Sequence, residues 1–395
     1  VSLPPFSALA RDYALRFPAR HGLRLRLEEV CVSVRSNSAL VVDDLRGYFG
    51  SFVEGEGAAG KSSPSDLEFL LLEAPVQEPP VPLEIKPQAP GKRPDKERYA
   101  DLPGALSSEG CGRLVRKQAT GMMFLFGAGQ NMALGPCAAN RNQLVNFLCA
   151  RYMERRVAAG WMLGHAAGVA RPVAQGGKAL ALCGFAGMGK STLALHLVAR
   201  GLNFVSNDRV LVEPAGSGGG QARGPVLHGI PKHPRLNPGT ALGNPALAEL
   251  LACSLPESAR TAYAGLSPER LRAVEDKFDA VIDSCFGSGD ACFGRGQGPS
   301  RFRLAAPLAG VVVLNWEHGG GALVARRVDL RERPDLLSAL RKEPGVFYLP
   351  QALGPGARLT AEQCLEALDG VPVLELAGGA DFEAGAKACE EFLGA

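Results

Sequence analysis

The run Gly184-Phe185-Ala186-Gly187-Met188-Gly189-Lys190-Ser191-Thr192 has the spacing G-x-x-x-x-G-K-[ST]. The short apolar run Lys178–Cys183 leads into it, and Ser191–Arg200 continues with helical spacing. Strand, glycine loop and helix form the setting in which this spelling cradles phosphate. Glycines let the backbone turn sharply and aim several N–H groups inward. The start of the helix adds its positive end at the same place. Lys190 supplies a point charge for the outer phosphates, and Ser191 offers a hard hydroxyl oxygen to Mg²⁺. Gly184, Gly187, Met188, Gly189, Lys190, Ser191 and Thr192 are therefore the candidate nucleotide-binding residues. Gly201 follows as a left-handed helix stop.

Working downstream, Asn203–Ser206 reads as a second short strand, followed by Asn207-Asp208. A phosphate loop of this kind uses an acid at the end of a neighbouring strand as its second magnesium anchor. Asp208 is that candidate, with a turn cap or a pair with Arg209 as the plainer alternative. Leu211–Glu213 and Val226–Ile230 flank the glycines of 216–220, as in a hairpin with a flexible tip. Gly310–Trp316, with its continuous Val and Leu, should be a strand buried on both faces, with Ala322–Val328 pairing beside it. Gly287–Gly298 reads either as a mobile lid or as an insertion. Helices are expected near 360–369 and 381–393.

Upstream, Leu23–Leu27 and Val30–Val34 alternate apolar and polar residues and read as half-buried strands. Ala39–Val42 reads as another strand, with Asp43-Asp44 capping a turn after it rather than holding a metal. Seven prolines stand between 75 and 94, where neither a helix nor an inner strand can persist. Gly112–Lys117 and Thr120–Gly127 read as a hairpin, and Asn142–Arg156 as an amphipathic helix. The chain is thus expected to be α/β (α+β mixed): a β-rich region at 1–74, a Pro-rich linker or long loop at 75–104, and a P-loop domain at 105–395.

Composition narrows the function classes. The 395 residues are 46% hydrophobic and 21% charged, which allows a sizeable core and excludes global disorder. A net charge of +3 argues against a nucleic-acid coat protein, and no basic-aromatic interleaving appears. The ten cysteines include no Cys-x-x-Cys pair, so reduced cytosolic thiols suit them better than zinc or a disulfide framework. No apolar run reaches the roughly 18 residues of a membrane helix. A soluble cytoplasmic protein is expected, with neither membrane nor nucleic acid as partner.

The stretch Gly184–Asp208 resembles the C-terminal domain of the HPr kinase/phosphorylase family, which sets an acidic pair on the strand directly after the P-loop helix. Gly164-His165-Ala166-Ala167 falls where that family carries a histidine segment. His228–Gly239 and Val311–Trp316 are similar to its HPr-kinase-related kinase B subgroup. The resemblance covers about 160–240 well and about 105–390 loosely, and does not reach the first hundred residues. It implies a mixed sheet of the HPr kinase and phosphoenolpyruvate carboxykinase type, with ATP and Mg²⁺ as cofactors. It also implies phosphoryl transfer to a hydroxyl of a small molecule or partner protein. By analogy with the subgroup it implies an ATP-grasp protein as partner, and the family's hexamers make a homo-oligomer an option.

One departure matters. The family's strand ends Asp-Asp, with the first Asp as general base, and here that position is Asn207, which cannot accept a proton. Asp208 matches the second Asp. Asp208 or His165 would then serve as base, or positioning alone would suffice in a loose transition state. Lys232 and Arg235 flank prolines in a stiff loop and read as a clamp for an anionic group or as a solvated basic turn. The candidate catalytic residues are Asp208, His165, Lys190, Lys232 and Arg235, with Ser191 and Asp208 as metal ligands. The alternative is an ATP-binding regulator or scaffold with a degenerate kinase site.

Overall fold

A computed structural model of the chain describes residues 6–55, 65–79, 81–85, 97–103, 111–216, 224–238, 255–263, 265–274, 277–286, 300–317, 319–349 and 359–394. The chain divides into two compact units. One comprises 1–158 together with 344–357, and the other comprises 159–343 together with 358–395. The fold is mixed α/β, with sheets that combine parallel and antiparallel pairs.

The first unit holds α1 (Phe6–Arg16), β1 (His21–Leu27), β2 (Val30–Ser36), α2 (Ala39–Phe49), β3 (Leu67–Glu73), β4 (Glu84–Ile85) and β5 (Glu97–Leu102). It continues with β6 (Gly112–Lys117), β7 (Met123–Gly127), β8 (Gln130–Gly135) and α3 (Arg141–Ala158). Its eight strands run in the order β1-β2-β3-β8-β7-β6-β5-β4. Phe6, Ala10 and Tyr13 of α1 pack on one face with Leu72, Leu114 and Leu125. Phe147 of α3 meets Phe69, Phe124 and Phe126. Phe124 and Leu125 are adjacent in one strand, so the period of two puts α1 and α3 on opposite faces.

Three expectations are corrected in this unit. Residues 39–42 are not a strand but the first turn of α2. Ser38 caps that helix, its Oγ accepting from the backbone N of Val41, and the buried Val41, Val42, Leu45, Tyr48 and Phe49 follow helical spacing. Asp44 reaches Arg141 at 2.8 Å instead of capping a turn. Nor is 97–102 linker: β5 pairs antiparallel with β6, and Ala100 and Leu102 are buried. The two-residue β4 forms the sheet edge, where proline-rich chain is tolerated. Prolines 80, 87, 90 and 94 lie outside the described residues.

The expected domain boundary at 104/105 also differs from the observed one at 158/159, because β6–β8 complete the first sheet and α3 packs on it. The segment 344–357 belongs to the same unit. Arg113 donates to the carbonyls of Val346 and Tyr348 at 3.2 Å each, and Arg151 donates to that of Phe347 at 2.9 Å. The Phe347 ring sits 5.0, 5.9 and 5.3 Å from those of Phe124, Phe126 and Phe147.

The second unit begins with β9 (Met162–Gly164), β10 (Ala166–Ala170), β11 (Ala179–Gly184), α4 (Lys190–Ala199), β12 (Asn203–Ser206), β13 (Val210–Glu213) and β14 (Val226–His228). Smaller elements follow: β15 (Arg235–Leu236), α5 (Glu257–Tyr263), α6 (Pro268–Ala273), β16 (Phe278–Asp279) and α7 (Ile282–Phe286). It closes with β17 (Ala305–Glu317), β18 (Leu323–Val328), α8 (Pro334–Leu340), α9 (Ala361–Ala367), β19 (Val373–Gly379) and α10 (Phe382–Gly394).

The long β17 is the axis of this nine-stranded sheet, parallel to β11 on one side and to β19 on the other. Val311–Leu314 are fully buried, as their unbroken hydrophobicity requires. β18 pairs with β19 and not with β17, which corrects the expected pairing. The strand β19, whose apolar pattern over Val373–Leu376 is interrupted by Glu375, takes the place beside β17. The core on one face gathers Val311, Val313 and Cys183 with Leu336, Leu337, Leu340, Cys364 and Ala367 of α8 and α9. On the other face α4 and α10 pack side by side and parallel. Their near contacts advance together, from Gly189 with Phe382 to Leu193 with Gly385 to Arg200 with Glu390. Both helices therefore begin at the same end of the sheet. The 287–298 segment lies outside the described residues.

Candidate functional site

The glycine loop joins β11 to α4 at the carboxyl ends of three parallel strands, β11, β17 and β19. Gly189 stands at the N-cap of α4 with φ 81°, and a Cβ there would lie 2.6 Å from the Phe382 ring. Left-handed backbone and close approach both demand glycine. Trp316, 1% exposed, donates its Nε1–H to the Met188 carbonyl at 2.9 Å and meets Phe382 edge-on at 5.2 Å. Met188 therefore enters the site through a backbone that the indole holds in place. Neither Trp316 nor Phe382 was picked out as a support from sequence. A tryptophan near the end of a strand that is apolar from Val311 to Leu314 is the signal that could have found the first.

Lys190 donates to the carbonyls of Gly184 at 2.7 Å and Phe185 at 3.1 Å. Burial lowers its pKa from the ordinary lysine value, against upward pulls from Cys183 and Asp208. Ser191 donates its hydroxyl to Asn207 Oδ1 at 2.7 Å. Thr192 occupies the first turn of α4 and is half-buried. The N-terminus of α10 opens beside that of α4, so two helix dipoles aim their positive ends at this end of the sheet.

Asp208 follows β12 in a tight turn. The Ser206 hydroxyl donates to the Arg209 carbonyl and accepts from the Ile230 N–H at 3.1 Å. That turn gives Asp208 a left-handed φ of 69°, an uncommon setting for a residue with a side chain. Its carboxylate lies 3.3 Å from His165 Nε2 and 2.8 Å from Arg209 Nη1. Burial would push the carboxyl up, but His165, Arg209 and Lys232 outweigh it and hold the group well below the usual carboxylate range. The backbone of His165 is fixed by its N–H, which donates to the Leu340 carbonyl at 2.6 Å.

Lys232 reaches the field of Asp208 because its loop is pinned. Gly229 donates to Leu304 at 2.6 Å, and Lys232 N donates to Ile230 in a three-residue turn, also at 2.6 Å. A Cβ on Gly229 would fall 1.9 Å from the Val205 carbonyl oxygen, so only glycine lets the loop run this close to β12. Arg235, expected beside Lys232 as a second clamp, has another employment. It pairs with Asp279 at 3.6 Å and donates to the Lys277 carbonyl at 2.9 Å, fastening β15 to β16. His228 packs on Trp161 with ring centroids 4.2 Å apart and meets Glu213 at 3.1 Å, and His233 accepts from the Ile282 N–H. Both are packing histidines.

Among the described residues, no three His, Cys, Asp or Glu side chains gather as a metal site. The oxygens that could serve Mg²⁺ are the Ser191 hydroxyl and the Asp208 carboxylate. One or two protein oxygens completed by phosphate and water is the arrangement this ion favours, so the donor set fits it. Among the described residues, no helix is long and apolar enough to cross a membrane. No protein-family model matches the chain, and no curated protein matches it.

Proposed function

We propose that the second unit is an ATP-dependent phosphotransferase, with the HPr kinase type of mixed sheet and a hydroxyl group as acceptor. One observation carries the reading: the loop of Gly184–Lys190 shares its end of the sheet with Asp208, whose carboxylate lies 3.3 Å from His165 Nε2. ATP would supply the γ-phosphoryl group, and Mg²⁺ would neutralise charge on the β- and γ-oxygens. Ser191 and Asp208 are the residues to hold the ion. Lys190 leaves its loop carbonyls for the outer phosphates, and Lys232 faces the acceptor side. A carboxylate held so far below neutrality is a poor proton acceptor, since the best base has a pKa near the working pH. His165 therefore takes the acceptor's proton, and Asp208 orients the ring.

The test is γ-labelled ATP with a cell extract, followed by identification of the labelled species. Label transfer that disappears with Lys190→Ala is expected. Loss of neither ATP binding nor transfer in that variant would overturn the reading. His165→Asn should lower turnover by about 10²- to 10⁴-fold with ATP affinity kept.

The 2.7 Å bond from Ser191 to Asn207 favours a second reading, since an amide there competes for the hydroxyl that would serve magnesium. In that reading ATP is a conformational ligand without turnover. Asn207→Asp separates the two: a gain of transfer from a silent wild type marks a decayed kinase.

A further inference from the structure

The first unit contains a cavity of about 490 Å³ between α1 and the strands β2, β3 and β8. That volume lies within the range of small-molecule sites, roughly 300–1,000 Å³. The ladder registers set out its floor. Arg35, Leu70 and Met132 form one row across three strands, and Ser33 is level with Glu68 in the row before. Gln130 stands two residues before Met132 and so shares that face. The roof is the α1 stripe Ser7, Ala10, Arg11 and Ala14, spaced i, i+3, i+4, i+7. Alanines on this stripe leave the space open where larger side chains would close it.

The chemistry of the lining is two-sided. Leu70 and Met132 offer apolar surface. Arg35 is steered at the mouth by donating one Nη to the Ala19 carbonyl at 3.2 Å, which leaves its other donors unused by that bond. Arg11 has no ion-pair partner among the described residues. Glu68, the one carboxylate in the lining, accepts the Ser65 hydroxyl at 2.7 Å. Two arginines against one engaged carboxylate leave the lining net positive, and guanidinium forks match carboxylate and phosphate oxygens.

We propose that this cavity binds a small amphipathic anion, its carboxylate or phosphate held by Arg11 and Arg35 and its apolar body against Leu70 and Met132. Ser7, Ser33 and Gln130 supply the remaining donors. The site belongs to the first unit alone and is independent of the glycine loop.

Calorimetric titration of the full chain with octanoate, octyl phosphate and 1-octanol tests it, in wild type and in Lys190→Ala. Saturable binding of at least one anion is expected, equal in wild type and Lys190→Ala and at least tenfold weaker in Arg35→Ala and Arg11→Ala. Which anion binds separates carboxylate from phosphate recognition. Arg35→Lys, which keeps the charge, should recover part of the loss, and circular dichroism of each variant checks that it is folded. Octanol binding as tightly as the anions, no saturable binding of either anion, or affinity unmoved by both arginine variants would each overturn the proposal.

Discussion

Gly189 shows how a single residue joins fold to chemistry. Its left-handed φ and its contact with Phe382 each exclude a side chain. Gly189→Ala should cost about 1–2 kcal/mol of stability and abolish ATP binding, read by denaturant titration and by nucleotide titration. Asp208 shows a different balance. Its side chain is 54% exposed, so solvent screens its ion pairs and they contribute little to stability. Asp208→Asn should change unfolding free energy by less than about 1 kcal/mol. The same variant should cut phosphoryl transfer by about 100-fold or more if Asp208 orients the base. Equal and large losses in both measurements would make Asp208 a structural residue. Ser191 and Asn207 meet only because α4 and β12 fold back on one another, and the motif spelling carries no hint of it.

At the scale of elements, caps and buried charge decide what periodicity leaves open. Four apolar residues at 39–42 suit strand or helix equally, and Ser38 tips them into α2. Ser38→Ala should cost about 1 kcal/mol, seen as a lower denaturation midpoint with an unchanged slope. β19 carries Glu375, fully buried, bonded to Asn315 at 2.7 Å, Arg326 at 2.7 Å and Arg333 at 3.1 Å. A charge inside an apolar run disguises this strand in the sequence. Burial would raise the Glu375 carboxyl, yet Arg326, Asn315 and Arg333 hold it below its ordinary value. A depressed carboxyl contributes stability that is full above the unfolded pKa of about 4.3 and is lost as pH falls through the lower folded value. Glu375→Gln should therefore cost about 2 kcal/mol at pH 7, limited by the exposure of the two arginines, with the gap to wild type closing toward pH 3. A gap that stays constant with pH would show packing, not charge, at work.

The whole chain crosses between its two units three times, at 158/159, 343/344 and 357/358. The segment 344–357 completes the first unit, with Phe347 in a cage of three phenylalanine rings and the backbone held by Arg113 and Arg151. Phe347→Ala should destabilise that unit by about 3–5 kcal/mol. A fragment of 1–158 should bind a hydrophobic dye and unfold with poor cooperativity, whereas the full chain should not. Cooperative unfolding of the fragment alone would show that the segment is dispensable. The strand-loop-helix around Gly184–Lys190, the buried β17, the hairpin at 112–127 and the helix at 141–158 were legible because each follows from local periodicity and turn chemistry. Sequence by itself named Lys190, Ser191 and Asp208 as candidates, and the fold of α4 against β12 is what brings Ser191 to Asn207 beside Asp208. Only the tertiary structure decided that Arg235 serves Asp279, that β19 separates β18 from β17, and that 344–357 belongs with the first 158 residues. Those outcomes depend on pairings between distant segments, and hydrophobic periodicity says which face is buried but not what covers it.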